Sequence, residues 1–162
     1  MTSFAIRSAV PADAALVLDF IKKLAVYEKL ESSVTGTVED VTETLFGPHP
    51  TAYALIGEEK GQPVGFALYF HNYSTFLCRP GIYIEDIYVD EVYRGRGYGK
   101  AFFQKICQIA EAKKCGRVEW WCLDWNKPSI DFYTKSLGAE PMSEWTVYRL
   151  DREKIARLAH HP

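Results

Sequence analysis

Residues 93–103 read "YRGRGYGKAFF", and this stretch decides the fold. Three glycines and three cationic side chains, Arg94, Arg96 and Lys100, fall within seven residues, and an apolar helical pattern follows at once. Glycine frees backbone amides, and a helix start adds unpaired N–H groups and the positive end of the helix dipole, so the two together make an anion site. The first candidate occupant is a phosphate. Just before it, residues 82–89 ("IYIEDIYV") are rich in β-branched and aromatic side chains and predict a central strand. Regular alternation places Glu85 on one face of that strand and Asp86 on the other. One of the two is therefore partly buried, with a cationic partner or a task.

Outward from this centre, the chain alternates strands and helices. After the loop, a helix is predicted from Tyr98 to Lys114, with Phe102, Phe103, Ile106, Ile109 and Ala110 inward and a stop at Gly116. "RVEWWCLD" is a strand. "NKPSIDFYTKSLGA" is a helix capped by Asn126, with Pro128 in its first turn and Gly138 past its end, and "EWTVYRL" is a last strand before a short terminal helix. On the N-terminal side, "SFAIRSA" is a first strand. A helix opening at Pro11–Asp13 follows, with Leu16, Val17, Phe20, Ile21 and Leu24 on one side. Thr37 and Asp40 form a capping box for a second helix that ends near Phe46-Gly47-Pro48. "TAYALIG" and "PVGFALYF" pair as a hairpin across "EEKGQ", and "HNYSTFLCRPG" is a loop. The order describes an α/β fold: a mixed sheet with helices on both faces, whose strands flanking the long helix are parallel neighbours.

Composition narrows the function classes. The 162 residues, 48% apolar and 25% charged, fit one soluble domain, and no apolar run reaches the length of a membrane span. The N-terminus has no basic segment ahead of an apolar stretch, so a cytoplasmic protein is expected. Cys78, Cys107, Cys115 and Cys122 form no C-x-x-C pair, and the four histidines have no helical ligand spacing. Buried free thiols are expected, with no metal and no disulfide framework. A net charge of −2 argues against a general nucleic-acid surface. His160, His161 and Pro162 read as a frayed tail.

Which phosphate compound is held follows from spacing. A P-loop requires G-x-x-x-x-G-K-[ST], but Arg94 stands five before Gly99, and Ala101 follows Lys100. A dinucleotide loop requires G-x-G-x-x-G, and Lys100 and Phe102 occupy the final position in the two possible registers. What fits is R-x-x-G-x-G, carried by Arg94, Gly97 and Gly99 between a strand and a helix. In that context the motif resembles the pyrophosphate loop of the GCN5-related N-acetyltransferases. "LAVYEKLE", "YIEDIYV", "LDWNKPSIDFY", "SLGA" and "EWTVYRL" extend the likeness, in order, to the diamine and thialysine acetyltransferase branch over nearly the whole chain.

The resemblance implies one N-acetyltransferase domain over residues 1–162, with a mixed, mostly antiparallel sheet and a parallel strand pair at the coenzyme site. It implies acetyl-CoA as co-substrate, no metal, a small cationic amine as acceptor, and a homodimer whose interface the aromatic C-terminal strand could supply. Main-chain groups of Ile87, Tyr88 and Val89 are expected along the pantetheine arm, the Val89 amide polarising the thioester carbonyl. Amides from Gly95 through Arg96, Gly97, Tyr98 and Gly99 to Lys100 take the pyrophosphate, with the Arg94, Arg96 and Lys100 side chains adding charge. Asn126, Lys127, Pro128 and Ser129 touch the coenzyme from the next helix. Tyr133 is the expected general acid. Glu85 is the expected carboxylate for attracting the ammonium and relaying its proton, Tyr27, Glu28 and Glu144 line the amine end, and Asp86 is structural. Polyamine and thialysine remain alternatives at this point. So do a protein N-terminal or lysine acetyltransferase and a non-catalytic acyl-CoA-binding module.

Overall fold

A computed structural model describes residues 3–160; Met1, Thr2, His161 and Pro162, and with them most of the expected tail, lie outside the described residues. By internal contacts the chain divides after Trp121 into two compact units.

The first unit is built on a five-stranded sheet in the order β1 (Phe4–Ser8), β2 (Tyr53–Glu59), β3 (Gln62–Ser74), β4 (Arg79–Val89), β5 (Val118–Trp120). Neighbours are antiparallel as far as β4, and β4–β5 is parallel. Helices α1 (Ala14–Tyr27) and α2 (Val38–Phe46) cover one face. There Val17, Phe20 and Val41 meet Ala54, Ile56 and Phe66 in one buried cluster, and the Phe20 and Phe66 rings stack at 5.5 Å. The Thr37–Asp40 capping box that starts α2 is formed in both directions, the Thr37 N–H donating to Asp40 at 2.8 Å and the Asp40 N–H to Thr37 at 3.2 Å. Helix α3 (Tyr98–Ala112) buries Phe102, Phe103, Ile106 and Ala110. Phe102 approaches β2 so closely that a Cβ on Gly57 would lie 2.7 Å from its ring, so that strand position excludes any side chain.

Three sequence expectations are corrected here. "HNYSTFLCRPG" is mostly strand: β3 runs to Ser74 and β4 begins at Arg79, because His71, Asn72 and Tyr73 pair with Ile82, Gly81 and Pro80. The β5 strand is only three residues long, its pairing with β4 ending at Ile84–Trp120. A β-bulge follows at once in β4: Ile84 pairs with Tyr69 and Asp86 with Leu68, leaving Glu85 as an extra residue. The four cysteines are free as expected but none is buried. Cys78 sits at the β3–β4 turn and Cys107 points off α3, both exposed, while Cys115 and Cys122 are half-buried.

The second unit contains α4 (Lys127–Asp131), a π-helical turn (Phe132–Ser136) and α5 (Arg152–His160). The predicted strand "EWTVYRL" is not formed. A strand requires partners for its N–H and C=O groups, and this unit has no other strand among its described residues. Trp145, Val147, Tyr148 and Leu150 accordingly stand exposed.

Candidate active site

The C-terminal half of β4 carries two faces of chemistry, one made of main chain and one of side chains. Asp90 N–H donates to Val64 O at 2.9 Å, which sets the hydrogen-bonding phase of the ladder beyond the bulge. Alternation from that bond makes Phe66–Tyr88 a hydrogen-bonded pair and turns the N–H groups of Ile87 and Val89 away from β3. They point to the side of β4 along which β5 has already stopped. The Tyr88 main chain is committed to β3. Of the three expected main-chain contacts, Ile87 and Val89 thus have the open direction and Tyr88 does not.

Beyond β4 the chain reaches α3 through Gly95 (φ +74°) and Gly97 (φ +85°), left-handed positions where a side chain is strained. Gly97 caps α3 without a side-chain bond, and the first helical bond runs from Ala101 N–H to Gly97 O at 3.0 Å. The amides of Tyr98, Gly99 and Lys100 therefore have no acceptor within their helix. A Cβ built on Gly95, Gly97 or Gly99 would meet nothing within 4 Å, so the space over the loop is open. Open space, left-handed glycines and unbonded first-turn amides are the features that an anion cradle requires.

The cationic side chains of the loop differ among themselves. Arg94 donates through Nε to Val89 O at 2.9 Å, and its guanidinium lies 4.7 Å from the Tyr27 ring centre and 5.4 Å from that of Tyr88. Arg96 is ion-paired with Glu59 at 2.9 Å. Lys100 is exposed on the first turn of α3.

The side-chain face is acidic. Glu28 follows the last residue of α1, at the negative end of a helix with no basic residue in its last turn. Burial, and next the charge of Glu85, push its carboxyl up. Asp86 lies on the helix-covered face opposite Leu68. Burial first, then Glu85 and Glu28, push it up to about 7. None of Glu28, Glu85 and Asp86 takes part in an ion pair among the described residues. The expected strict alternation of Glu85 and Asp86 is corrected, since the register shifts between Leu68 and Tyr69, and no ion pair of Asp86 is seen among the described residues. The bulge at Glu85 breaks the alternation, and the three carboxyls feel one another. Burial first, then Glu85, Glu119 and Asp86, raise the Tyr83 phenol, which keeps it neutral. The sequence reading gave Asp86 a structural role and no chemical task. Its one available signal was the adjacency of two acids in an otherwise apolar strand.

In the second unit, Asn126 is buried and caps α4 by accepting from Ser129 N–H at 3.4 Å, with Lys127 and Pro128 in the first turn. Tyr133 lies in the π-helical turn, half-buried beside Phe132, and its carbonyl accepts from Ala139 N–H at 2.9 Å past Gly138 (φ +69°). π-Turns concentrate at functional positions. Glu144 is exposed in a turn closed by Trp145 N–H donating to Met142 O at 3.1 Å.

Residues 22–139 match the model of the Acetyltransferase (GNAT) family. The chain belongs to the GNAT acetyltransferase family. Enzymes of this family take the acyl group from acetyl-CoA. Thialysine N-epsilon-acetyltransferase of Sus scrofa is 38% identical, across 98% of this chain and 99% of its own. The spermidine/spermine N(1)-acetyltransferase-like protein 1 of Homo sapiens is 32% identical, across 98% of this chain and 24% of its own. Among solved structures, an integron cassette protein from V. cholerae shares the fold with a TM-score of 0.81 at 22% identity, covering 98% of this chain and 99% of that one. Among the described residues no group of three or more His, Cys, Asp or Glu is arranged to hold a metal ion, and no helix is long and apolar enough to cross a membrane.

Proposed function

We propose that this acetyltransferase acts on the primary amine of a small cationic substrate, a thialysine-like amino acid or a polyamine. The observation that carries this reading is the acidic cluster Glu28, Glu85 and Asp86, which forms no ion pair among the described residues and has Glu28 at the negative end of α1. A guest ammonium is the complement such a cluster lacks. The names of the relatives support the same substrate class.

Acetyl-CoA fits the other half of the site. The open cradle over Gly95, Gly97 and Gly99 and the free first-turn amides suit a pyrophosphate, and the outward amides of Ile87 and Val89 suit the pantetheine arm. When bound, the coenzyme supplies a thioester-activated acetyl group. The chain's own residues then divide the work. Val89 N–H polarises the acyl carbonyl, as an oxyanion donor does. Glu85 draws the ammonium in, and the buried Asp86, matched to neutral pH, shares with Glu85 the acceptance of its proton. Tyr27 and Glu28 line the amine end. For Tyr133 as general acid, for Asn126, Lys127, Pro128 and Ser129 at the coenzyme, and for Glu144 at the amine, support is the likeness to the family.

A homodimer belongs to the same reading, since Trp145, Val147, Tyr148 and Leu150 present an apolar segment that one copy leaves uncovered. Four free cysteines fit the reducing cytoplasm. Neither nucleic acid nor membrane is among the partners.

The test is thiol release from acetyl-CoA with thialysine, lysine, spermidine, putrescine and a peptide amine. Turnover of the small amines but not of the peptide is expected, with a kcat about a hundredfold lower for Tyr133→Phe. Turnover of the peptide alone would assign a protein acetyltransferase. Coenzyme binding without turnover of any amine would assign a binding module.

A further inference from the structure

Glu59 ends β2, and its side chain is only 12% exposed. One oxygen, Oε1, accepts from Arg96 Nη1 at 2.9 Å and from the hydroxyl of Tyr98. Arg96 is held further by Nη2 donating to Val92 O at 3.2 Å and by the Tyr93 ring 5.1 Å from its guanidinium. Tyr98 is buried, its ring stacked on Phe4 at 3.9 Å and nearly parallel to it. A single carboxylate thus grips the residues on both sides of Gly97, the left-handed residue through which the chain turns into α3.

We propose that Glu59 is a positioning residue for the phosphate cradle: by holding Arg96 and Tyr98 it fixes the loop so that its amides are aimed before the ligand arrives. The proposal rests on the reading of the glycine loop as the coenzyme phosphate site. Ordering a glycine-rich loop costs conformational entropy, and a loop ordered in advance does not charge that cost to binding. Arg96 spends its charge on Glu59, so the pair presents almost no net charge to a phosphate. This gives the test a sign. Glu59→Gln frees a cation beside the cradle, which by charge alone tightens phosphate binding. Weaker binding in that variant can come only from lost positioning.

Calorimetric titration with coenzyme A, on the parent, Glu59→Gln, Tyr98→Phe and the double variant, reads the outcome. Each single change is expected to raise Kd about three- to tenfold, the cost of ordering one or two side chains. The double variant should be no weaker than Glu59→Gln, because the contacts act as one unit. KM for acetyl-CoA should rise in Glu59→Gln while kcat at saturation holds. Tighter binding in Glu59→Gln would overturn the proposal and make Glu59 a competitor for Arg96. An unchanged Kd with a lowered Tm would reduce the contacts to fold stability alone. A parent that does not bind coenzyme A would remove the phosphate reading and the proposal together. Tyr98→Phe, which keeps the stacked ring, decides the matter if Glu59→Gln does not fold.

Discussion

The glycine loop and the acidic bulge adjoin along β4, yet the sites proposed for them are opposite and rest on opposite means. The proposed anion site is main chain, out of consecutive residues, with left-handed Gly95 and Gly97 exposing amides at the start of α3. The proposed cation site is made of side chains, and it needs two distant elements: Glu28 at the end of α1, and Glu85 with Asp86 in β4. A backbone site depends on conformation, so a side chain at left-handed Gly95 or Gly97 is damaging. A side-chain site depends on charge and burial, so an isosteric change of one atom suffices to disable it.

The largest expected effect lies on the side-chain half. Asp86→Asn keeps the shape of a half-buried residue and removes its proton acceptor, so kcat/KM for the amine should fall about a hundredfold or more. In the parent, kcat/KM should rise with pH through about 7 as Asp86 ionises, and that limb should vanish in the variant. A parent profile flat from pH 6 to 8 would make Asp86 a bystander. Next is the backbone half. Gly97→Asp forces a side chain onto a left-handed residue and sets a carboxylate beside the phosphates, and the Kd for coenzyme A should rise about a hundredfold while the amine KM is unmoved. Equal affinity in a folded variant would break the contrast between the two halves.

A smaller effect tests whether the carboxyls act together. Glu28→Gln removes one of the charges that lift Asp86, so the acid limb of kcat/KM should move to lower pH as the amine KM rises several-fold. A limb that stays in place would uncouple α1 from the bulge. The smallest effect is on stability. Asp86 is raised to about 7 in the native state, against about 3.9 in an unfolded chain. Between those values the native state keeps a proton that the unfolded state has lost. Stability should therefore fall as pH rises from about 4 to 7, and level off above. Urea midpoints at pH 5 and pH 8 should show this drop in the parent and little of it in Asp86→Asn.

Local chemistry was legible in the amino acids alone. The capping box at Thr37 and Asp40, the hairpin of β2 and β3, the start of α3 at Tyr98 and the glycine turn before it all follow from residues within a few positions of each other, where steric and hydrogen-bonding rules act without help from the rest of the chain. Tertiary structure decided what depends on partners. Leu68 and Tyr69 pair with Asp86 and Ile84 around Glu85, and that extra residue interrupts the alternation in which Glu85 and Asp86 would face apart, while Glu28 from α1 adds its charge to theirs. The ion pair of Arg96 with Glu59 of β2 is likewise absent from any reading of the loop alone. The segment "EWTVYRL" has every mark of a strand and is none, because propensity describes a residue's own preference while a strand exists only beside another. A bulge, a buried charge and an unpaired strand share one cause: each is a property of two segments meeting, and no reading of either segment by itself contains it.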